Sequence, residues 1–196
     1  MNNDSLRYAG FWYRLGAMML DYLIWYPLGW AWSWGDHYRL FNVYCFIPST
    51  FLVLFYNVYL VRRYGGTPGK LIVGIRVRKL NGDPVGYSEA ILRELPDTIL
   101  LTLLGIVELV PLFHMTDAEF ASLSSAALLN RETALLPAVY KPLMWIDVAW
   151  VYSELVVLLT NRRRRALHDF IAGTVVVHVA RGAAAKPAEV EPEVAG

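Results

Sequence analysis

Four long apolar stretches separated by polar connections set the pattern of the chain. They cover Leu15–Trp34, Phe41–Val61, Thr98–Met115 and Leu143–Thr160. Each comes close to the ~20 predominantly apolar residues a helix needs to cross a hydrocarbon core ~30 Å thick. The pattern therefore predicts an all-α integral membrane protein with four transmembrane helices. Trp25, Tyr26, Trp30, Trp32 and Trp34 crowd the far end of the first stretch, as in an interfacial aromatic belt. Pro27 and Gly29 lie inside it and Pro48 inside the second, where neighbouring helices can re-satisfy the freed backbone groups.

The polar connections have patterns of their own. Gly35–Arg39 is a short turn. Tyr64–Leu95 predicts a strand over Leu71–Lys79, a turn at Asn81-Gly82-Asp83-Pro84, and a short amphipathic helix capped near Ser88-Glu89 and ending at Leu95. Thr116–Lys141 opens on the Thr116-x-x-Glu119 capping pattern and predicts a surface helix up to Asn130.

Lys and Arg orient the spans. With the N-terminus inside, the inner segments collect fifteen of the eighteen Lys and Arg residues, including Arg62, Arg63 and Arg162 to Arg165. The outer segments hold three, Arg39, Arg131 and Lys141. By the positive-inside rule both termini are expected in the cytoplasm of a bacterium, with the chain a multi-pass protein of its inner membrane. The connector between the second and third helices is expected to be cytoplasmic, and Thr116–Lys141 outside.

Composition agrees with that picture. Of 196 residues 56% are hydrophobic, and the mean hydropathy is +0.37, too apolar for an ordinary soluble domain. One cysteine, Cys45, excludes a disulfide framework, and the four histidines show no local metal-ligand spacing. No cofactor or metal is expected. The first span is longer than a signal-peptide core and contains Asp21, so it reads as retained. Residues 1–182 read as one membrane domain, and the Ala/Pro/Glu-rich residues 183–196 as a disordered cytoplasmic tail.

Asp21, Glu108, Asp147 and Glu154 fall within the apolar stretches. A helix-centre carboxylate costs about 2.5–3.5 kcal/mol to insert, so such residues are candidates for an ion or proton path. Burial raises a carboxyl pKa, which lets the group trade a proton for a cation. The competing reading is structural, with the acids hydrogen-bonding helices together.

Three segments carry a family likeness. YAGFWYRLGAMMLDY over Tyr8–Tyr22 sets Arg14 seven residues ahead of Asp21; GGTPGKLIVGIRV spans Gly65–Val77; RALHDFIAGTVVV spans Arg165–Val177. In this order they resemble the RDD family of small prokaryotic membrane proteins. The likeness covers nearly the whole chain, and Thr116–Lys141 stands apart as an insertion. It implies that the family's named residues are Arg14, Asp21 and Asp169, with Asp147 an alternative for the last, and that Gly69, Lys70 and His168 belong to the motif. It also implies membrane transport, since some members are credited with exchanging sodium, lithium or potassium for protons. The alternative is a non-transporting accessory or scaffold protein. An enzyme is not expected, because no nucleophile accompanies the acids.

Partners implied by this reading are the lipid bilayer, alkali cations and protons, with a homo-oligomer allowed and nucleic acid excluded. Gly65–Lys70 does not make a phosphate loop, because Tyr64 and Leu71 stand where it needs glycine and Ser or Thr. A tight turn at the membrane surface fits it better. His168-Asp169 reads as a hinge or N-cap ahead of Phe170. Arg14 and Asp21 lie ~10 Å apart along one helix, so Asp169, arriving from the same side of the membrane, is the expected partner of Arg14, in a bidentate fork.

Overall fold

The computed structural model describes residues 7–178, so the tail expected over 183–196 lies outside the described residues. Four long helices, α1 (Phe11–Trp32), α2 (Phe41–Tyr64), α4 (Tyr87–Phe113) and α7 (Tyr140–Thr160), follow the four apolar stretches. Shorter ones fill the connections: α3 (Pro68–Ile72), α5 (Asp117–Ser122), α6 (Ser125–Leu135) and α8 (Leu167–Ile171). Strands β1 (Ile75–Lys79) and β2 (Thr174–His178) pair antiparallel, from Ile75 opposite His178 to Lys79 opposite Thr174. The fold is thus mostly helical, with a two-stranded sheet that an all-α class leaves out.

Three boundaries differ from the sequence expectation, each for a local reason. The amphipathic helix and the third span are one helix, because α4 runs 27 residues straight through Pro96. A proline removes one backbone donor from a helix, and packing of α4 on α2 and α7 outweighs that single loss. The strand begins at Ile75, not Leu71, because Pro68 starts α3 at its first position and Gly74 then turns the chain at φ 76°. The surface helix is two helices. The Thr116 hydroxyl accepts from the Glu119 N–H at 3.1 Å to start α5, and Ser124 accepts from Ala127 at 3.4 Å to start α6.

Apolar residues are distributed in two ways. The largest buried cluster sits at the sheet end and includes Ala9, Val58, Val61, Ile75, Val77 and Val176. Along the long helices large apolar side chains face outward instead, among them Phe51, Phe55, Leu101, Trp145 and Val156. An apolar surface of that extent is unfavourable in water and matches a lipid solvent. Phe41–Ile72 (containing α2 and α3), α4 and α7 are long and apolar enough to cross a bilayer. Helix α1 has the length, 22 residues, but its Trp, Tyr and Asp21 keep it outside that apolar set.

The sheet joins segments distant in sequence. The Ala9 N–H donates to the Val176 carbonyl at 2.8 Å, and the His178 N–H to the Arg7 carbonyl at 2.8 Å. The N-terminal segment therefore lies along the free edge of β2. Flanked on both edges, β2 is buried from Thr174 to Val177, whereas β1 alternates. Gly65, left-handed at φ 82°, ends α2 and returns the chain so that its carbonyl accepts from the Val77 N–H.

Candidate functional site

Asp169 lies at the centre of the sheet end, wholly buried. It is the third residue of α8, so the helix begins ahead of the hinge expected at His168-Asp169. One of its oxygens, Oδ2, accepts from Arg14 Nη1 at 2.8 Å and from the Ala166 N–H at 3.0 Å. The other, Oδ1, accepts from Arg93 Nη1 and from the Thr174 hydroxyl at 3.1 Å. Arg165 closes the other side of the turn, reaching the backbone carbonyls of Asp169 at 2.8 Å and Thr174 at 3.0 Å. A single carboxylate thereby ties α1, α4, α8 and β2 together.

Arg14 pairs with Asp169, as the sidedness argument requires, but not as a bidentate fork. Its Nη2 donates instead to the Arg164 carbonyl at 2.6 Å, because Arg93 already holds the second carboxylate oxygen. Burial alone would push the Asp169 carboxyl up. Arg93 and Arg14, with His168 adding to them, outweigh that and hold it well below the usual carboxylate range.

Asp21 serves a different junction. Its Oδ1 accepts from the Gly69 N–H at 2.8 Å and from the Tyr56 hydroxyl at 3.1 Å, and its Oδ2 accepts from the Thr67 hydroxyl. The carboxylate sits against the first turn of α3, where backbone N–H groups have no helical partner. Gly69 makes the approach feasible. A Cβ there would lie 2.1 Å from the Ala17 carbonyl and 2.8 Å from the Asp21 carboxyl carbon. Gly69→Ala is expected to lower stability by about 1–3 kcal/mol, the range for overpacking, read as a drop in melting temperature of the purified protein. An unchanged melt would mean that α3 does not dock this closely.

Asp21 also lines a cavity of about 400 Å³ that includes Tyr56, Asn57, Lys70 and Glu94. A second cavity, about 220 Å³, is lined by Asn57, Glu94, Asp97 and Thr98. Val53, Asn57 and Glu94 belong to both, so the two adjoin between α2 and α4. Among the described residues the Glu94 side chain has no hydrogen bond, whereas Asp97 Oδ1 accepts from Trp150 Nε1 at 2.9 Å.

The four acids singled out in the sequence do not share one cavity. Glu154 sits beside His168, accepting from its backbone N–H at 3.1 Å and contacting its Nδ1. Glu108 is exposed and lines a cavity of about 560 Å³ at the opposite end of the bundle, with Asp36, Arg39 and Glu132. Asp147 is half-buried on α7, without a side-chain hydrogen bond among the described residues.

Geometry of this kind gives the three sequence motifs one location. Arg14 begins α1, Gly69 and Lys70 follow α2, and His168-Asp169 follows α7, all at the sheet end. The family model for the RDD family matches residues 8–173. The chain belongs to the RDD family. RDD proteins are membrane proteins, in keeping with the outward-facing apolar helices. No curated protein and no solved structure matches the chain.

In this RDD protein three functional candidates escaped the sequence reading. Arg93 looked like the charged face of a surface helix, although it is only 4% exposed. Glu94 fell in the last turn of that helix, expected to end at Leu95, and Asp97 in the gap before the expected third span. Their signal was the position of all three within one turn of Pro96, visible only once the helix is known to run on.

Proposed function

We propose that this RDD protein exchanges cations for protons across the bacterial cytoplasmic membrane. The observation that carries the reading is the pair of adjoining cavities, which brings Asp21, Lys70, Glu94 and Asp97 along one polar route between α1, α2, α3 and α4. Glu94 is its titrating group, because it lines both cavities and no hydrogen bond among the described residues holds it. Asp21 lines the route from its docked position. Glu154 stands at the far end of the route, near Asp97.

The reading takes all four long helices as crossings, three of them long and apolar enough to span a bilayer. The start of α1, the end of α2, the start of α4 and the end of α7 all meet at the sheet, as four antiparallel passes require. The Lys and Arg bias puts that end, with both termini and the connector carrying α3 and β1, in the cytoplasm. The labelling test uses single cysteines at Ser88 and Ser124 in a Cys45→Ser background. In intact cells an impermeant thiol reagent should modify the Ser124→Cys chain alone; labelling at position 88 would overturn the topology.

The deciding experiment is proton release from liposomes containing the purified protein on addition of sodium, lithium or potassium, followed over about pH 6 to 9. Release driven by at least one cation is expected. No release with any of them returns the protein to the accessory reading. That second reading has its own support: the carboxylates of Asp21 and Asp169 are both filled by hydrogen bonds that join helices, as in a scaffold.

A further inference from the structure

Where α7 hands over to α8, one ligating atom from each of Asp97, Glu154 and His168 lies within 4.8 Å of those of the other two. All three side chains are half-buried, and they come from α4, α7 and α8. We propose that they bind a divalent first-row transition metal ion, a site that does not depend on the exchange reading.

The donor set selects the class of ion. One imidazole nitrogen with two carboxylate oxygens suits zinc, manganese, iron or cobalt, whereas magnesium and calcium prefer oxygen alone. Around an ion with bonds of ~2.1 Å, tetrahedral ligands stand about 3.4 Å apart, so Glu154 Oε1 and His168 Nδ1, now in direct contact, need to separate as the ion enters. Three protein ligands leave a fourth position for water.

The surroundings already orient the ligands. Trp150 Nε1 holds one oxygen of Asp97 at 2.9 Å, and among the described residues the other has no hydrogen bond. The His168 backbone N–H anchors Glu154 Oε1 at 3.1 Å, and His168 Nδ1 faces that same oxygen.

The far side of the imidazole supplies an independent observation. Among the described residues His168 Nε2 is buried without a hydrogen-bond partner, and Asp169 Oδ1 lies 3.8 Å away. With a metal on Nδ1 the ring proton resides on Nε2, facing that carboxylate. This is the carboxylate–imidazole–metal arrangement that fixes a ligating histidine. Without a metal, a protonated His168 contacts Glu154 through Nδ1 and faces Asp169 through Nε2 at 3.8 Å, beyond hydrogen-bonding distance. With the ion bound, His168 faces it and its neighbour Asp169 faces the arginines, so adjacent motif residues serve two sites.

Cobalt(II) is the probe. The full-length protein, purified in detergent and stripped with chelator, is titrated with cobalt while its visible d–d absorption and binding stoichiometry are followed. One ion per chain is expected, displaced by zinc. Asp97→Asn and Glu154→Gln keep shape and hydrogen bonding, and each should weaken binding by about tenfold or more. Asp83→Asn, in the turn after β1, should leave it unchanged. Cobalt that gives no absorption change with folded protein, or binds Asp97→Asn and Glu154→Gln as tightly as the parent, overturns the site. Binding is measured without a membrane gradient, so the result stands whether or not liposomes release protons.

Discussion

Asp169→Asn is expected to destabilise the protein by about 3–5 kcal/mol, the cost of leaving buried charge without its partner. Two guanidiniums are orphaned at once, since Arg14 and Arg93 both face the Asp169 carboxylate and are 13% and 4% exposed. Asparagine keeps the shape and accepts one hydrogen bond at the remaining oxygen, but carries no charge. The measurement is thermal or denaturant unfolding of purified protein in one detergent. Adding Arg93→Leu to Asp169→Asn removes one stranded charge, and should recover part of the loss. An Asp169→Asn chain as stable as its parent would show that the buried pairs contribute nothing.

The same residue fixes a pH signature. Because the folded carboxyl is held below its ordinary value of about 3.9, its contribution is fully present above that pH and is lost as pH falls towards the folded value. The gap in stability between parent and Asp169→Asn should therefore be flat from about pH 8 to 5 and should close in stronger acid.

The second large effect concerns transport. Glu94→Gln should abolish cation-driven proton release, while folding and insertion stay normal. Glutamine nearly matches glutamate in shape and cannot titrate. Its position on both cavities makes Glu94 the one acid through which the route passes from the α1–α3 side to Asp97. Asp21→Asn should behave differently. It retains an acceptor for part of the Gly69, Thr67 and Tyr56 set, so exchange should persist at reduced stability, on the order of 1 kcal/mol as for interhelical hydrogen bonds in membranes. Full flux in a well-folded Glu94→Gln chain would remove Glu94 from the mechanism. Loss of flux in stable Asp21→Asn would move the titrating role to Asp21.

How far the sequence could reach is clearest at these residues. Sidedness alone paired Arg14 with Asp169, because the Lys and Arg bias led to the expectation that the start of the first span and the end of the fourth share one face of the membrane. The same logic could not find Arg93. Its burial depends on a carboxylate 76 residues later in the chain, and nothing local distinguishes it from a solvated arginine. Insertion cost rightly marked Asp21 as a residue in need of partners. It could not say that they are donors from α2 and from a helix of five residues, too short for propensity to predict. The break expected between Leu95 and Thr98 failed for the opposite reason: α4 runs on through Pro96, held by its packing on α2 and α7.

The clasp at Asp169 also bears on how the chain is made. Arg14 and its partner are 155 residues apart. At about 5–20 residues per second, the first helix waits roughly 8–30 s after its arginine is synthesised before the aspartate exists. Throughout that interval the guanidiniums of Arg14 and then Arg93 are without the Asp169 carboxylate, and the edge that Arg7 and Ala9 present to β2 stays open. Closure of the clasp therefore follows the synthesis of α1, α2, α4 and α7. A nascent chain interrupted before α8 keeps its long apolar helices but lacks the carboxylate that joins α1 to α4.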